Sequence, residues 1–327
     1  MHMSDALLSP VVGGVLWGIC ATVIAVSAEK LKKDSDTAKI PLMGALGAFV
    51  FAAQMINFSI PGTGSSGHLG GAMLLSILLG PYAAFLVMVS ILAVQALFFA
   101  DGGILALGAN IFNMGFYACF LAYPLLYRPI AGDGTRRGRV FTAAVTASIA
   151  GMTAGAFSVV IQTMLSGISS LPFGPFAAMM LPIHFAIGIV EGIVTGFVVL
   201  TVHSIDPGIS ISRPLVFSVK RRKKALVLIF AAAVLIGGLF SRFASNYPDG
   251  LEWAVAGVSG GVETESGESG FFAASSLLQE RDTDNPETTV SGLIGGIITL
   301  IAIFLMGFFL KKRAGKASAS RGGHAGN

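Results

Sequence analysis

Charged residues are scarce in this 327-residue chain, at 12% of all positions, whereas soluble domains carry about 25%. Hydrophobic residues make up 54% of the sequence, and several apolar runs reach the roughly 20 residues that a helix needs to cross a bilayer. This balance excludes an ordinary soluble domain. The composition predicts an all-α, polytopic membrane protein.

Cysteines and the common catalytic motifs are also scarce. The two cysteines, Cys20 and Cys119, lie inside apolar runs, which favours packing roles over a disulfide or a thiolate metal site. No stretch reads GxxxxGK[ST], so the chain has no nucleotide-binding P-loop of its own, and no HExxH pair indicates a metalloprotease. We therefore expect no catalytic activity and no cofactor, and any ATP hydrolysis must come from separate chains.

Nine apolar segments divide the chain. The third is too short to span a bilayer comfortably, and Gly80-Pro81 separates it from the fourth, which predicts a tilted, broken or re-entrant piece. The segments are 10–28, 40–57, 70–80, 81–99, 104–127, 140–168, 176–203, 225–241 and 291–310.

Basic residues are concentrated in alternate loops. If the N-terminus is outside, every Lys and Arg except Arg242 and Arg281 falls in the inside loops, 29–39, 128–139, 204–224 and 311–327. The positive-inside rule therefore predicts an exterior N-terminus, a cytoplasmic C-terminus and nine crossings. The net charge of +4 thus reflects topology, and we expect the lipid bilayer and no nucleic acid as a partner.

A Pro- and Ser-containing basic stretch over residues 204–224 predicts a domain boundary near residue 220. Residues 1–220 are expected to form a seven-helix substrate-binding bundle, and residues 221–313 a two-helix hairpin with a long acidic exterior loop. Residues 314–327 are predicted to be a disordered cytoplasmic tail. No positive n-region precedes the first apolar segment, so we expect no cleaved signal peptide.

The chain begins Met1-His2. We expect the bulky second residue to keep Met1 in the mature chain, with a free α-amine. That amine, the deprotonated amide nitrogen of His2 and Nδ1 of its ring can chelate one ion through two fused rings. Three nitrogens in a plane suit Ni(II) or Cu(II) better than tetrahedral Zn(II).

His68 is the candidate fourth ligand. It lies in PGTGSSGHLGG, residues 61–71, on the same predicted side as the N-terminus. Glycines let this backbone bend tightly, and such a segment at membrane depth requires a covering protein or a cavity. Taken alone, His2 is also compatible with a solvated terminus and His68 with a hydrogen-bonded loop residue. Their occurrence together makes a metal site as compatible with the sequence as these structural roles.

Four stretches carry a family resemblance: MHMSDALLSP (1–10), GTGSSGHLGG (62–71), QALFFADGGILALGANIFNMG (95–115) and HFAIGIVEGIVTG (184–196). In this order they resemble the CbiM/NikM family, the substrate-specific components of energy-coupling factor (ECF) transporters for nickel and cobalt. YPDGLEWAV (247–255) resembles the PDGLE segment of the N component. The start departs from MHIPDG, the beginning often found in the family, without changing the ligand atoms.

This resemblance implies seven membrane helices in the first part and an amino terminus inserted into the interior. It implies that the metal ligands are the Met1 nitrogen, the main-chain and ring nitrogens of His2 and the ring of His68. The chain would capture Ni(II) or Co(II) as substrate in the cell membrane, together with a transmembrane coupling protein and ABC-type ATPase subunits. The PDGLE-type hairpin slightly favours nickel. A stand-alone secondary transporter or channel for divalent transition-metal cations is the alternative.

Several amides lie inside apolar runs, where polar residues are functional candidates. They are expected either to fix the imidazole tautomers of the metal ligands or to form interhelical hydrogen bonds. This set comprises Gln54, Asn57, Gln95, Asn110 and Asn113.

Two further patterns have two interpretations each. His184 and Glu191 share one helix face, and could form a proton relay or second cation site, or a structural bond. A stripe of small residues on the first segment favours packing within the chain or docking against the coupling subunit. The stripe comprises Gly14, Gly18, Ala21 and Ala25, followed by Ala28.

Overall fold

The structure of the protein is a computed structural model, which describes residues 1–34, 39–205, 219–238, 243–259 and 287–322. The described chain is almost wholly helical, with one two-stranded hairpin. A 3-10 turn, Asp5–Leu7, precedes the helices. The elements are α1 (Pro10–Lys33), α2 (Lys39–Gln54), β1 (Phe58–Ile60), β2 (Ser65–Gly67), α3 (Ala72–Leu79), α4 (Pro81–Phe98), α5 (Leu107–Ile111), a π-helical stretch (Phe112–Tyr127), α6 (Arg128–Ala131), α7 (Arg137–Ser166), α8 (Phe173–Ile205), α9 (Val219–Gly238), α10 (Gly250–Ser259) and α11 (Glu287–Gly322).

Each of the nine apolar segments overlaps helical backbone. Six helices of the described chain have the length and apolarity to cross a membrane: Pro10–Lys33, Pro81–Phe98, Leu107–Ala131, Arg137–Ser166, Phe173–Ser204 and Leu293–Leu310. α2 and the apolar part of α9 are shorter. The eight-residue α3 is only about 12 Å long, so it can cross the bilayer only together with neighbouring extended chain.

The break between α3 and α4 is confirmed. Gly80 has a φ of +83° and lies between the two helices, and Pro81 opens α4, where its missing N–H costs no helical hydrogen bond. Every residue of α3 is buried. The short helix therefore lies inside the bundle, directly after the Gly-rich stretch that contains His68.

The C-terminal hairpin packs against the first part of the chain, with α9 and α11 both covering α2. Glycines allow this close approach, since a Cβ on Gly44 would lie 2.9 Å from the Phe304 ring and one on Gly47 would overlap Ile303. Residues 42–54 are consequently buried on all sides.

Two features of the C-terminal half bear on the predicted domain division. α11 continues to Gly322, over part of the stretch for which the sequence predicts a disordered tail, because Ala, Lys and Arg propagate an existing helix at little cost. The boundary near residue 220, which lies in the first turn of α9, stays a prediction. Most of the linker and of the acidic exterior loop lies outside the described residues.

Candidate metal centre

The amino terminus is folded into the protein. Only 6% of Met1 and 0% of Met3 is exposed. The amide nitrogen of Met3 donates to Oδ1 of Asn110 over 2.8 Å. The Met3 carbonyl accepts from Nδ2 of Asn110 over 3.1 Å and from the Gly103 amide over 3.0 Å. This pairing satisfies the buried main chain beside the predicted ligands.

Asp5 adds a second anchor to the same segment. Its Oδ1 accepts from the Ala106 amide over 2.9 Å, which ties the chain start to the turn before α5. A Cβ on Gly103 would overlap the Asp5 carboxylate, so the N-terminal residues fill a groove that a side chain at position 103 would block.

The structure brings the two predicted histidine ligands together. The rings of His2 and His68 stack with centroids 5.1 Å apart and planes inclined by 17°. Only 7% of the His2 side chain is exposed. Two histidines that are far apart in the sequence therefore lie side by side.

The tautomer of His68 follows from its hydrogen bond. Nδ1 lies 3.1 Å from the carbonyl oxygen of Leu69, which can only accept, so Nδ1 carries the proton and Nε2 keeps a lone pair. Burial, together with the nearby His2 and α-amine, lowers the pKa of His68 to about 4. A neutral imidazole with an available Nε2 is the form that binds metals.

His2 differs from the predicted arrangement in one respect. Its Nδ1 lies 3.0 Å from Oδ1 of Asp101, so the nitrogen assigned to the chelate is engaged with a carboxylate. Burial opposes ionisation of Asp101, but the charge and hydrogen bond of His2 outweigh it and lower the carboxyl pKa. Asp101 sits on a tight turn in which Ala100 has a φ of +53° and Gly102 one of +88°.

Glu191 holds the Gly-rich stretch beside His68. Its two carboxylate oxygens accept from the amides of Gly70, over 3.2 Å, and Gly71, over 3.1 Å. The Gly70 carbonyl accepts from Gln54 over 2.8 Å, and Gln54 in turn accepts from Gln95 over 2.8 Å. This network favours the structural interpretation of Glu191.

None of the predicted amides contacts an imidazole in these networks. Asn110 binds the Met3 main chain, and Asn113 faces the Met3 sulfur at 3.7 Å and pairs with Gln162. The main-chain carbonyl of Asn57 accepts from the Ser245 amide over 2.7 Å, and its side-chain Oδ1 is buried without a hydrogen-bond partner among the described residues. The rings of His68 and His2 are bound by Leu69 and Asp101 instead, while Gln54 and Asn110 bind main chain.

Asp249, which no sequence pattern singled out as part of the site, contacts the α-amine. The Met1 nitrogen donates to Oδ2 of Asp249 over 3.3 Å, across 248 positions of sequence. Burial opposes ionisation of Asp249, but the α-amine and a hydrogen bond outweigh it and keep the pKa of this carboxyl below its usual value. The sequence signal was an Asp followed three residues later by Glu, the spacing of a helix capping box.

A small cavity adjoins the α-amine, with room for about one water molecule. Met1, His68, His184, Asp249 and Gly250 contribute to its lining. His184 donates from Nδ1 to the Met180 carbonyl over 2.8 Å, and its buried Nε2 has no hydrogen-bond partner among the described residues.

The donor set decides which metal chemistry is possible. Among the described residues, no group of three or more His, Cys, Asp and Glu side chains is placed to hold a metal ion. An ion bound between His2 and His68 therefore needs nitrogen donors from the main chain, which the buried α-amine and the His2 amide can supply.

The small-residue stripe of α1 lies on an open face. An added Cβ on Gly14 or Gly18 would meet no atom of the described chain within 4 Å, and Ala21 and Ala25 are exposed. Among the described residues, nothing packs against these four positions, in contrast to Gly44 and Gly47 of α2.

Comparison with known sequences agrees with this architecture. The putative fused nickel transport protein NikMN of Archaeoglobus fulgidus is 33% identical over 321 residues, which cover 96% of this chain and 99% of the relative. The fused nickel transport protein NikMN of Rhodobacter capsulatus is 33% identical, covering 84% of each chain. The cobalt transport protein CbiM of Sorangium cellulosum is 28% identical and matches 60% of this chain and 88% of its own.

Solved structures show the same relationship. The crystal structure of a transition metal transporter covers 70% of this chain and 99% of its own, with 32% identity and a TM-score of 0.56. The profile of the PDGLE domain matches residues 223–312, and the profile of the CbiM family, described as the cobalt uptake substrate-specific transmembrane region, matches residues 2–209. The chain is a multi-pass membrane protein that belongs to the CbiM family and carries a PDGLE domain fused behind the family's own region.

Proposed function

We propose that the chain is the substrate-capture subunit of an ATP-driven ECF-type importer for Ni(II) or Co(II), with nickel slightly preferred. The observation that carries this proposal is the inward-folded terminus, which places Met1 and His2 beside His68. The names of the relatives, which are nickel and cobalt transport proteins, support the class of substrate.

In the proposed complex, the ion is bound by the α-amine of Met1, the amide nitrogen and Nδ1 of His2, and Nε2 of His68. Binding displaces protons from the amine and the amide. It also requires the His2 ring to turn about its Cβ–Cγ bond, because the same Nδ1 cannot face Asp101 and the ion together. Asp101 then remains beside the ring as a carboxylate neighbour.

The main-chain donors make the site selective. Only an ion that displaces an amide proton near neutral pH can use the His2 nitrogen, which favours Ni(II) and Cu(II) in a planar nitrogen field over Zn(II). The stacked rings and the buried terminus keep water away from the ion.

The energy for transport comes from separate chains in this proposal. The open small-residue face of α1 is the proposed docking surface for the transmembrane coupling protein, which connects the subunit to the ABC-type ATPases. The N-terminus faces the exterior and the C-terminus the cytoplasm. Residues 1–220 form the capture domain, and residues 221–313 the PDGLE-type domain.

The first experiment tests the chelate. Ni(II) affinity is measured for the purified chain with an unmodified terminus and for a chain with three alanines added before Met1, because a single added residue would place the histidine third and create a new amine, amide and imidazole chelate. The matched control carries the three added alanines after Asn327. We expect the N-terminal addition to weaken binding at least 100-fold and the C-terminal addition to leave it unchanged. Equal binding by both would contradict the chelate.

The second experiment separates the importer from the alternative. The chain is reconstituted in vesicles, and Ni(II) uptake is measured with and without the coupling protein, the ATPases and ATP. Uptake that requires all three supports the ECF-type importer. Uptake by the chain alone would establish a secondary transporter or channel.

A third experiment tests the orientation of the two termini. A thiol-reactive probe that cannot cross the membrane is applied from outside to A6C and A325C variants, and we expect it to label A6C and not A325C.

A further inference from the structure

We propose that Asp249 of the PDGLE segment holds the α-amine of Met1 in its ligand position, and so makes the C-terminal segment part of the metal site. This inference rests on the proposed function, because it assigns a positioning residue to the same site. It gives the fused domain a direct role in substrate binding.

The carboxylate of Asp249 is shared between two tasks. Its Oδ1 accepts from the amides of Leu251 and Glu252, each over 2.8 Å, and so caps the start of α10. Its Oδ2 accepts from the α-amine over 3.3 Å. The capping bonds fix the orientation of the carboxylate, so the second oxygen points toward the amine without further cost in side-chain entropy.

Glu252 adds a further hydrogen bond to this helix cap. Glu252 accepts from the Asp249 amide over 3.1 Å, which completes a capping box. Glu252 is exposed, whereas 18% of the Asp249 side chain and 4% of the terminal residue's side chain is exposed. The two acidic residues of the PDGLE segment therefore differ, since only Asp249 contacts the amine.

The segment that bears Asp249 is held on the capture domain. The Ser66 amide donates to the Pro248 carbonyl over 2.8 Å, and the Ser66 hydroxyl donates to the Tyr247 carbonyl over 2.7 Å. These bonds extend the edge of β2, two residues before His68. The bonds between these two stretches of main chain thus set the positions of the Asp249 carboxylate and the His68 imidazole relative to each other.

The geometry is compatible with metal binding. An amine that binds an ion uses its lone pair and keeps two N–H bonds. One of these can still donate to Oδ2 of Asp249, which directs the lone pair away from the carboxylate and limits rotation of the terminus. A charge-assisted hydrogen bond of this kind is among the stronger ones in proteins.

The test compares D249N with E252Q in the full chain. Asparagine caps a helix as well as aspartate does, so D249N keeps α10 while removing the charge that faces the amine. E252Q removes a charge from the same helix turn and keeps an amide oxygen as acceptor. Two quantities are measured: Ni(II) affinity, and the rate at which an acylating reagent modifies the Met1 α-amine, read by mass spectrometry of the N-terminal peptide.

We expect D249N to weaken Ni(II) binding about tenfold, or about 1.4 kcal/mol, and to raise the acylation rate several-fold. E252Q should match the wild type in both measurements, and a purely structural cap would make the two variants behave alike. Wild-type affinity in D249N, while the chain with three alanines before Met1 fails to bind, would overturn this inference and leave the proposed function standing. Binding by that extended chain would overturn the proposed function itself.

Discussion

The candidate metal centre brings two distant chain segments to the loop that bears His68, and the two segments are held in different ways. Residues 1–8 lie in a groove, fixed by Asn110, by Asp5 and by the absence of a side chain at Gly103. Residues 243–259 lie at the edge of this groove, here called the rim, and bind mainly through main-chain atoms to β2 and to Asn57. The first segment therefore depends on particular side chains, whereas most hydrogen bonds of the second survive a side-chain substitution.

The largest effect should come from blocking the groove. We expect G103A to weaken Ni(II) binding about 100-fold, or about 2.8 kcal/mol, because the new Cβ overlaps Asp5 and displaces the N-terminal segment. Isothermal titration of the purified chain measures this. G14A is the matched control, since its Cβ meets nothing of the described chain within 4 Å. Similar affinities for the two variants would show that residues 1–8 are not fixed by the groove.

Removing the amide that pairs with Met3 should have the next largest effect. N110A leaves a buried main-chain N–H without its acceptor and the carbonyl with one donor fewer, and each such loss costs about 1–3 kcal/mol. We expect Ni(II) affinity to fall roughly 30-fold. The control is S148A, because the Ser148 hydroxyl is buried without a partner among the described residues. An N110A chain with wild-type affinity would be evidence against this anchor.

Loss of one side-chain ligand should weaken binding at least tenfold, about 1.4 kcal/mol. H68A removes Nε2 and leaves the N-terminal donors in place, so residual binding is expected rather than none. Ni(II) titration and the absorption spectrum of the bound ion measure the loss of one nitrogen. H203A, at the far end of α8, should change neither, and a similar loss in H203A would point to a general effect on folding.

The smallest effect should come from the rim. S66A removes the hydroxyl bond to Tyr247 but keeps the Ser66 amide bond to Pro248. We expect Ni(II) affinity to fall no more than about threefold, or about 0.7 kcal/mol. S59A, which loses only an exposed bond to Ser245, should be neutral. A loss as large as that of N110A would show that the rim depends on single side chains as much as the groove does.

The helical membrane architecture could be predicted from hydrophobic runs, because apolar length is a direct signal of a bilayer crossing. The break at Gly80-Pro81 followed from the backbone preferences of these two residues. The hairpin β1–β2 was not found, since each strand has only three residues, too few for a strand pattern to be distinguished, and β2 consists of Ser and Gly alone. The helical continuation of α11 to Gly322 was missed because composition alone does not show that a helix is already nucleated.

The candidate site was only partly predictable. The rarity of histidine drew attention to His2 and His68, and the distribution of basic residues placed them on one side. The contact of Asp249 with Met1 depends on how α10 packs against α8 and β2, which no local pattern encodes. The turn at Ala100 places Asp101 beside the His2 ring. Local sequence preferences do not predict this turn either.

The packing of the C-terminal hairpin on α2 has a consequence for assembly. This chain carries the CbiM region and the PDGLE domain on one polypeptide, whereas the CbiM protein of Sorangium cellulosum matches 60% of it. Covalent connection replaces a bimolecular encounter by an intramolecular one, at an effective concentration in the millimolar range for a short linker. The hairpin then stays on α2 even though much of α11 is exposed, and each candidate metal site is accompanied by one PDGLE domain.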